Sequence, residues 1–207
     1  MDPARISRDR VMERWRGGFA GWSGVNDWVF AGKGGMACCN ASGARALYDL
    51  WRYGITQRER RTSVNLLLSR ATPDVTVKSL LPFVGRVEIV RRSDSTLRVR
   101  VPASSPIGQL RMEINGRGSP IRMDGPWLAI PDGKAGDRIT IEFPLVERVE
   151  TVYLGYQTFD AHYRGDTVVK IDPRGTVYPL YERAWASGPA PSIPDPAQSR
   201  GREIESI

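Results

Sequence analysis

The stretch Thr96–Val101, TLRVRV, decides the fold class because its side chains alternate strictly between apolar and charged. Its three apolar residues would point to one face of a strand and its two arginines, Arg98 and Arg100, to the other. A period of two residues is typical of a β-strand with one buried face and one solvated face. The stretch therefore predicts a strand at the surface of a packed sheet.

Similar segments recur on both sides of this stretch, about every ten residues. Arg138–Phe143, RITIEF, alternates in the same way and stops before Pro144, and Asn115-Gly116 is a tight-turn signal. Short strands punctuated by Gly, Pro and Asn are typical of an antiparallel β-sandwich. The predicted strands are Thr62–Ser69, Val75–Leu80, Val84–Arg91, Thr96–Val101, Leu110–Ile114, Trp127–Ile130 and Arg138–Phe143.

The chain after residue 146 continues with weaker strand signals. Arg164-Gly165-Asp166 is interpreted as a glycine turn into a strand rather than an adhesion motif. The lone His162 is expected at a surface or strand edge, with no metal role. The last residues, 187–207, are rich in Pro, Ser and charge and are predicted to be disordered. The further predicted strands are Val149–Tyr156, Thr167–Ile171 and Val177–Tyr181, and Gln57–Arg61 is predicted as a charged turn.

A short helix is predicted upstream of the strands. It would end near Gly54, since a glycine commonly follows the last helical turn. Asn40 or Ser42 would cap its start by accepting a backbone N–H bond. Four apolar residues fall on one face at three- and four-residue spacing: Ala44, Leu47, Leu50 and Trp51.

Two adjacent cysteines, Cys38 and Cys39, stand just before this helix and are the only cysteines of the chain. The helix macrodipole and the free N–H groups at a helix start favour a thiolate over a thiol. The residues alone leave three interpretations open. The pair can be two small buried residues, a strained disulfide between neighbours, or part of a metal or nucleophile site. The last needs further groups, because zinc takes three or four ligands.

An aromatic, glycine-rich loop precedes the cysteines. Trp22 and Trp28 are candidates for stacking on sugar rings, and Asn26 and Asp27 for polar contacts with a sugar. The alternative is that the aromatic rings pack the loop onto a neighbouring element, because their apolar area is large.

The segments RGGFAGWSGVNDW (16–28) and CCNASGARALYDLW (38–51) resemble the end of the catalytic barrel in glycoside hydrolase family 127, the β-L-arabinofuranosidase-like proteins. The strand series over residues 62–145 resembles the β-sandwich that follows that barrel. The resemblance implies a carbohydrate substrate and a zinc-thiolate site. By position, Cys38 would be the nucleophile, and both Cys38 and Cys39 would be zinc ligands.

The chain also departs from the family pattern. A glutamate and a third cysteine complete the family's zinc site, and another glutamate is the general acid/base. All three lie well upstream in the (α/α) barrel. Only 37 residues precede Cys38, no Glu-x-Cys occurs, and Glu13 is the only glutamate upstream. The resemblance therefore implies the C-terminal part of a glycoside hydrolase, inactive as an isolated chain. The alternative is a non-catalytic β-sandwich that binds carbohydrate or acts as a scaffold.

The predicted architecture is mainly β, an antiparallel β-sandwich preceded by a short helical segment that resembles the end of an (α/α) barrel. Residues 1–55 would be the end or remnant of the barrel domain and residues 56–145 the sandwich. Residues 146–186 would complete or extend the sandwich, and residues 187–207 would form the tail.

The formal net charge is +7, mostly from arginine, and the isoelectric point is about 9.8. A basic protein that binds an acidic polymer is therefore a third hypothesis. Nucleic-acid binding is not expected, because no binding motif accompanies the charge. No membrane span is predicted, since no long apolar run occurs, and the start MDPARISRDR lacks the apolar region of a signal peptide. The scattered arginines are expected on a solvated sheet face: Arg86, Arg91, Arg92, Arg98, Arg100 and Arg111.

Overall fold

A computed structural model describes residues 19, 24–27, 39–155, 157–176, 179–183, 188–192 and 196. Within this part of the chain, one α-helix, α1 (Asn40–Gly54), is followed by fourteen strands, with a short 3-10 helix (Ile107–Gln109) between the sixth and seventh strands. The strands are β1 (Ile55–Arg58), β2 (Arg61–Val64), β3 (Arg70–Ala71), β4 (Val75–Ser79), β5 (Arg86–Arg91), β6 (Thr96–Arg100), β7 (Arg111–Ile114), β8 (Arg117–Ser119), β9 (Met123–Asp124), β10 (Trp127–Ile130), β11 (Arg138–Glu142), β12 (Glu147–Leu154), β13 (Gln157–Arg164) and β14 (Thr167–Asp172).

The strands form three sheets, which confirms a mainly β fold. The first sheet has the order β1-β2-β6-β10-β9, the second β3-β4-β5-β11-β7-β8, and the third β12-β13-β14. Neighbouring strands are antiparallel, with the exception of the parallel pair β2 and β6. That pair is parallel because the chain leaves the first sheet after β2, builds β3 to β5 of the second sheet, and then returns.

The core lies between the first and second sheets. In β6, Leu97 and Val99 are buried while Arg98 is half-buried and Arg100 is exposed, as the alternation predicts. Apolar residues from both sheets form one cluster, and burying each side chain stabilises the fold by roughly 1.5–3 kcal/mol. Its most deeply buried members are Val64, Val75, Val77, Val87, Ile89, Val99, Leu128, Ile139 and Ile141.

Two chain segments approach closely at Gly85, just before β5. The Phe143 N–H donates to the Gly85 carbonyl oxygen at 2.8 Å. A Cβ atom built on Gly85 would lie 1.9 Å from the Phe143 carbonyl oxygen. This position therefore requires glycine, and the predicted strand Val84–Arg91 begins only at Arg86.

The two predicted turns are confirmed. Asn115 and Gly116 have φ angles of 53° and 76° and join β7 to β8 as a two-residue hairpin turn. The Asn115 side chain also receives the Arg138 N–H at 2.9 Å and donates to Asp137 at 2.8 Å. Gly165, with φ of 60°, lies in the turn between β13 and β14.

Other boundaries were predicted wrongly. The segment Gln57–Arg61 is not only a turn, because it contains the end of β1 and the start of β2, with Glu59 and Arg60 between them. The strand expected over Thr62–Ser69 ends at Val64. The N–H of the next residue, Asn65, donates to the Gly54 carbonyl oxygen at 2.8 Å. Strand β13 was missed because charged and polar residues separate its few apolar ones.

Arg91 corrects the expectation that the strand arginines all face solvent. Its side chain is buried, at 2% exposure. The guanidinium donates to the Ser95 carbonyl at 2.7 Å and to the Pro131 carbonyl at 2.5 Å. Burial lowers the pKa of Arg91, and nearby carboxylates, Asp137 first, oppose that shift. Arg91 is thus a structural residue that ties two loops to the end of β5.

The third sheet contacts the second through the turn that precedes Gly85. The Arg164 guanidinium donates to the carbonyl oxygens of Pro82 and Phe83 at 3.0 and 3.2 Å. A smaller apolar cluster is built on Phe159, Ala161 and Ile171 of the third sheet, and Val25 and Tyr181 from outside the sheet pack against it. The division of the chain into four regions stays a prediction.

Candidate functional site

The cysteine-bearing segment meets the start of α1. Cys39 is the residue that directly precedes the helix, and its side chain is partly exposed. Its φ and ψ angles are −91° and −1°, and no side chain caps the helix start. Cys38 lies outside the described residues. The expectation of a thiol at a helix N-terminus is therefore confirmed for Cys39, and the chemical role of the pair stays a prediction.

The predicted helix cap is wrong. Asn40 is the first helical residue rather than the cap, and Ser42 lies within the helix. The Asn40 side-chain oxygen instead accepts the Phe19 N–H at 2.9 Å. The Phe19 ring packs against Gly43, where a Cβ atom would lie 2.3 Å from the ring. These contacts hold the upstream segment against the start of α1.

Gly54 also differs from its predicted role. It is the last residue of α1 and is buried, with Ile55 in extended conformation directly after it. The chain therefore passes from helix into β1 without an intervening loop, which fixes the helix end to the edge of the first sheet.

Two of the four predicted sugar-contacting residues are described, and both contact the C-terminal segment. Asp27 is buried, at 7% exposure, and its carboxylate accepts the Thr176 N–H at 2.7 Å. The Asn26 amide donates to the Pro173 carbonyl, and the Asn26 carbonyl accepts the Leu180 N–H at 2.9 Å. Trp22 and Trp28 lie outside the described residues. Contact of these four residues with a sugar stays a prediction.

The apolar face of α1 is largely exposed. Leu47, Leu50 and Trp51 have exposed fractions of 58%, 49% and 57%, although their spacing predicts one apolar face. Tyr48 and Tyr53 are more than half exposed as well. The Arg70 guanidinium lies 4.1 Å above the Trp51 ring and donates to the Trp51 carbonyl. Among the described residues, no helix has both the length and the hydrophobicity that a membrane crossing requires.

The described residues contain no group of three or more His, Cys, Asp or Glu side chains placed to hold a metal ion. Cys39 alone cannot form a zinc site, because zinc needs three or four ligands. The part of the chain that the structure describes therefore does not fit zinc by itself.

His162 lies on β13, and its Nε2 is 2.9 Å from an Asp172 carboxylate oxygen. Lys170 binds the same oxygen at 2.5 Å. The hydrogen bond from Lys170, and then that from His162, lowers the pKa of Asp172. The cluster is an ion-pair group at the surface of the third sheet.

Sequence reasoning missed a basic groove on the outer face of the first sheet. The groove has a volume of about 610 Å³. Four arginines line it, Arg58, Arg60, Arg61 and Arg98, together with a single acidic residue, Glu59. The signal was the run QRERR at 57–61, whose charge is concentrated by the hairpin between β1 and β2.

No protein-family model matches the chain, and no curated protein matches it. Solved structures do match. A family 127 β-L-arabinofuranosidase from Geobacillus stearothermophilus T6 aligns with a TM-score of 0.50 and 22% identity. The alignment covers 64% of this chain and 24% of the enzyme.

A second family 127 β-arabinofuranosidase aligns with a TM-score of 0.53 and 19% identity, over 72% of this chain and 28% of the enzyme. The chain thus spans about a quarter of the length of each of these solved enzymes. At this level of identity the likeness concerns the fold. This chain has the fold of one portion of the glycoside hydrolase family 127 β-arabinofuranosidases.

Proposed function

We propose that this chain is the C-terminal portion of a family 127-like glycoside hydrolase, which cleaves O-glycosyl bonds once a catalytic barrel is supplied. One observation carries the proposal: most of this chain aligns with only about a quarter of two solved β-arabinofuranosidases. The described part of this chain is mainly β, and we infer that a barrel elsewhere in the longer protein supplies the other catalytic groups. As an isolated chain the protein would have no hydrolase activity.

The exposed face of α1 supports this proposal. Within seven residues, Leu47 to Tyr53, five large apolar or aromatic side chains are about half exposed or more. A surface helix normally packs such a face against a neighbour, and clustered exposed hydrophobic residues mark interaction surfaces. We infer that the rest of an (α/α) barrel covers this face.

We further propose that Cys38 is the nucleophile and that Cys38 and Cys39 are zinc ligands. The position of Cys39 at the start of α1 supports this role, because helix N-termini favour thiolates. The remaining zinc ligands would lie outside the described residues. In the reaction, the Cys38 sulfur would form a bond to the anomeric carbon as the glycosidic C–O bond breaks. The leaving oxygen would take its proton from an acid that the missing barrel supplies.

Trp22, Asn26, Asp27 and Trp28 are proposed to contact the sugar. Asp27 bonds to Thr176 and Asn26 bonds to Pro173, and these bonds support a role for this segment as an anchored loop that presents side chains to the sugar. They fix its backbone against the C-terminal segment, so the tryptophans would be presented from an anchored loop.

The second candidate function is a non-catalytic sandwich that binds carbohydrate or serves as a scaffold. The basic groove favours it, since apart from Tyr53 of α1 the groove is lined by β1, β2, β6 and the turns beside them, and needs no barrel. The two candidates differ in what the gene encodes before Met1 and in whether hydrolysis depends on Cys38.

The test is to sequence the DNA upstream of Met1 and to express the longest reading frame that contains this chain. The proposal predicts an upstream barrel with a Glu-x-Cys motif, and hydrolysis of 4-nitrophenyl β-L-arabinofuranoside or a related furanoside. Cys38→Ser should abolish that hydrolysis. A stop codon directly upstream of Met1, or full activity of Cys38→Ser, would contradict the proposal.

A further inference from the structure

The outer face of the first sheet carries an unusual arrangement of like charges. Arg58 on β1 and Arg61 on β2 are direct cross-strand partners. Both side chains are exposed, and Arg60 lies in the turn beside them. Like charges directly opposite each other destabilise a strand pair. The hairpin therefore tolerates a repulsion that a hydrophobic or acidic residue at either position would remove.

Within the described residues, no ion pair neutralises this cluster. Elsewhere in the sandwich, the half-buried Arg86 forms ion pairs with Glu88 and Glu142. No described carboxylate forms an ion pair with Arg58, Arg60 or Arg61. The acids close to the cluster are Glu59, in the turn itself, and Asp74, whose carboxylate accepts a hydrogen bond from the Gln57 side chain at 2.9 Å.

Arg98 is held in place at the centre of the same face. Its Nε donates to the Ser63 hydroxyl at 2.8 Å, and its guanidinium lies 4.0 Å above the Trp127 ring. Cross-strand register places Ser63 beside Arg98 and opposite Thr56. Arg98 thus presents its terminal nitrogens in a fixed orientation, as a pre-organised anion site requires.

The groove also offers one aromatic ring, and such a ring can stack on the face of a sugar. Tyr53 is more than half exposed at its rim. Thr56, Ser63, Asn65 and Thr96 also line it, but their polar groups bond within the protein. Asn65 donates to Thr56 and to the Tyr53 carbonyl, Thr96 donates to the Arg60 carbonyl, and Ser63 accepts from Arg98. Guanidinium groups bind planar carboxylates through paired hydrogen bonds. The combination of guanidinium groups and one exposed aromatic ring matches a chain of sugar acids.

We propose that this groove binds an acidic oligosaccharide, whose carboxylates pair with Arg58, Arg61 and Arg98. The choice of a sugar rests on the proposed function, whereas the choice of an anion rests on the arginine cluster. Binding at the groove needs neither Cys38 nor a barrel, so it can be measured on the 207-residue chain.

The test is calorimetric titration of the intact chain with tetragalacturonate, with its fully methyl-esterified form, and with a short oligothymidylate. We expect tetragalacturonate to bind, and the uncharged ester to bind at least about tenfold more weakly. Arg58→Gln and Arg61→Gln should each weaken tetragalacturonate binding about tenfold. Added salt should weaken it further, because the pairs are exposed.

Arg117→Gln is the matched control. It removes the same charge from an exposed position on β8, in the other sheet of the sandwich. It should change the affinity less than about twofold, since screening limits distant charges. Thermal unfolding of each variant verifies that the fold is intact.

Four results would overturn the proposal: no binding of tetragalacturonate, equal binding of the ester, equal losses in Arg117→Gln and Arg61→Gln, or tighter binding of oligothymidylate. If tetragalacturonate does not bind, the proposed hydrolysis by the longer polypeptide is still open to test. If that hydrolysis is absent, the binding measured in this titration is unaffected. The two proposals are therefore tested separately.

Discussion

Arg58 and Arg61 face each other directly across the hairpin of β1 and β2. Two guanidinium groups in this position repel each other, and no described carboxylate pairs with either. Such an arrangement lowers the stability of the unliganded protein. Substitutions in this hairpin can therefore be measured for their effect on the free energy of unfolding and, separately, for their effect on anion binding.

Arg58→Glu should stabilise the unliganded chain by about 0.2–1 kcal/mol, because it turns a repulsive cross-strand pair into an attractive one. Urea unfolding at low salt measures the effect, and high salt should reduce it. Arg117→Glu, whose cross-strand neighbour is the apolar Ile114, is the control. A destabilised Arg58→Glu variant would show that the two arginines do not repel each other.

Gly85→Ala should destabilise the sandwich by about 2–4 kcal/mol, since the new Cβ would collide with the Phe143 carbonyl oxygen. The obstacle is backbone, so no side-chain rotation relieves it. Gly108→Ala is the matched control, because nothing lies within 4 Å of its Cβ position. Chemical denaturation of both variants provides the comparison, and equal stabilities would contradict the close approach.

Arg91→Met should cost about 2–4 kcal/mol of stability, because the Ser95 and Pro131 carbonyls lose a charged donor in a buried setting. Arg92→Met removes the same charge from the neighbouring exposed position. That control should change stability by less than about 0.5 kcal/mol. Similar losses in the two variants would mean that charge, rather than the buried hydrogen bonds, matters.

The Asp172 cluster predicts a pH dependence. Because Lys170 and His162 lower the pKa of Asp172 in the folded protein, its ionised form contributes stability above the unfolded pKa, about 3.9. That contribution is lost as the pH falls through the lowered folded value. Asp172→Asn should therefore be less stable than the natural sequence at pH 7, with the gap closing below about pH 4.

Unfolding curves at a series of pH values test this expectation. The same substitution at Asp166, an exposed turn residue, controls for loss of one surface charge. A gap that stays constant down to acid pH would mean that the Asp172 carboxylate is not stabilised by its two neighbours.

The exposed face of α1 predicts self-association of the isolated chain. Leu47 and Leu50 present apolar surface that a barrel would cover, and uncovered patches associate. Gel filtration should show an elution volume that depends on concentration, and Leu47→Ser with Leu50→Ser should restore a monomer. A sharp monomer peak of the natural sequence at high concentration would contradict this expectation.

Local alternation was enough to predict β5, β6, β10 and β11, because each of these strands buries one face and leaves the other partly or fully exposed. The same rule contained the signal for Arg91, which stands two residues after Ile89 and so faces inward. Its charge made a solvated position the simpler interpretation. The sequence could not indicate that the loops around it would present two carbonyl groups.

Long-range pairing was not accessible from the sequence. Nothing in Arg61–Val64 specifies a parallel partner, because that pairing depends on the path of the chain through the second sheet. Likewise, the bond between Asp27 and Thr176 joins residues 149 positions apart. The position of Cys39 at the helix start was predicted correctly from local signals. Prediction of the groove would have required the cross-strand register that pairs Arg58 with Arg61.

The most direct test of the central claim compares glycosidase activity in two polypeptides: the 207-residue chain, and the longest reading frame that contains it. With a furanoside panel that includes 4-nitrophenyl β-L-arabinofuranoside, the account predicts no hydrolysis by the chain alone. It predicts hydrolysis by the longer polypeptide, abolished by Cys38→Ser. Hydrolysis by the chain alone, or a Cys38→Ser variant of the longer polypeptide with undiminished activity, would contradict it.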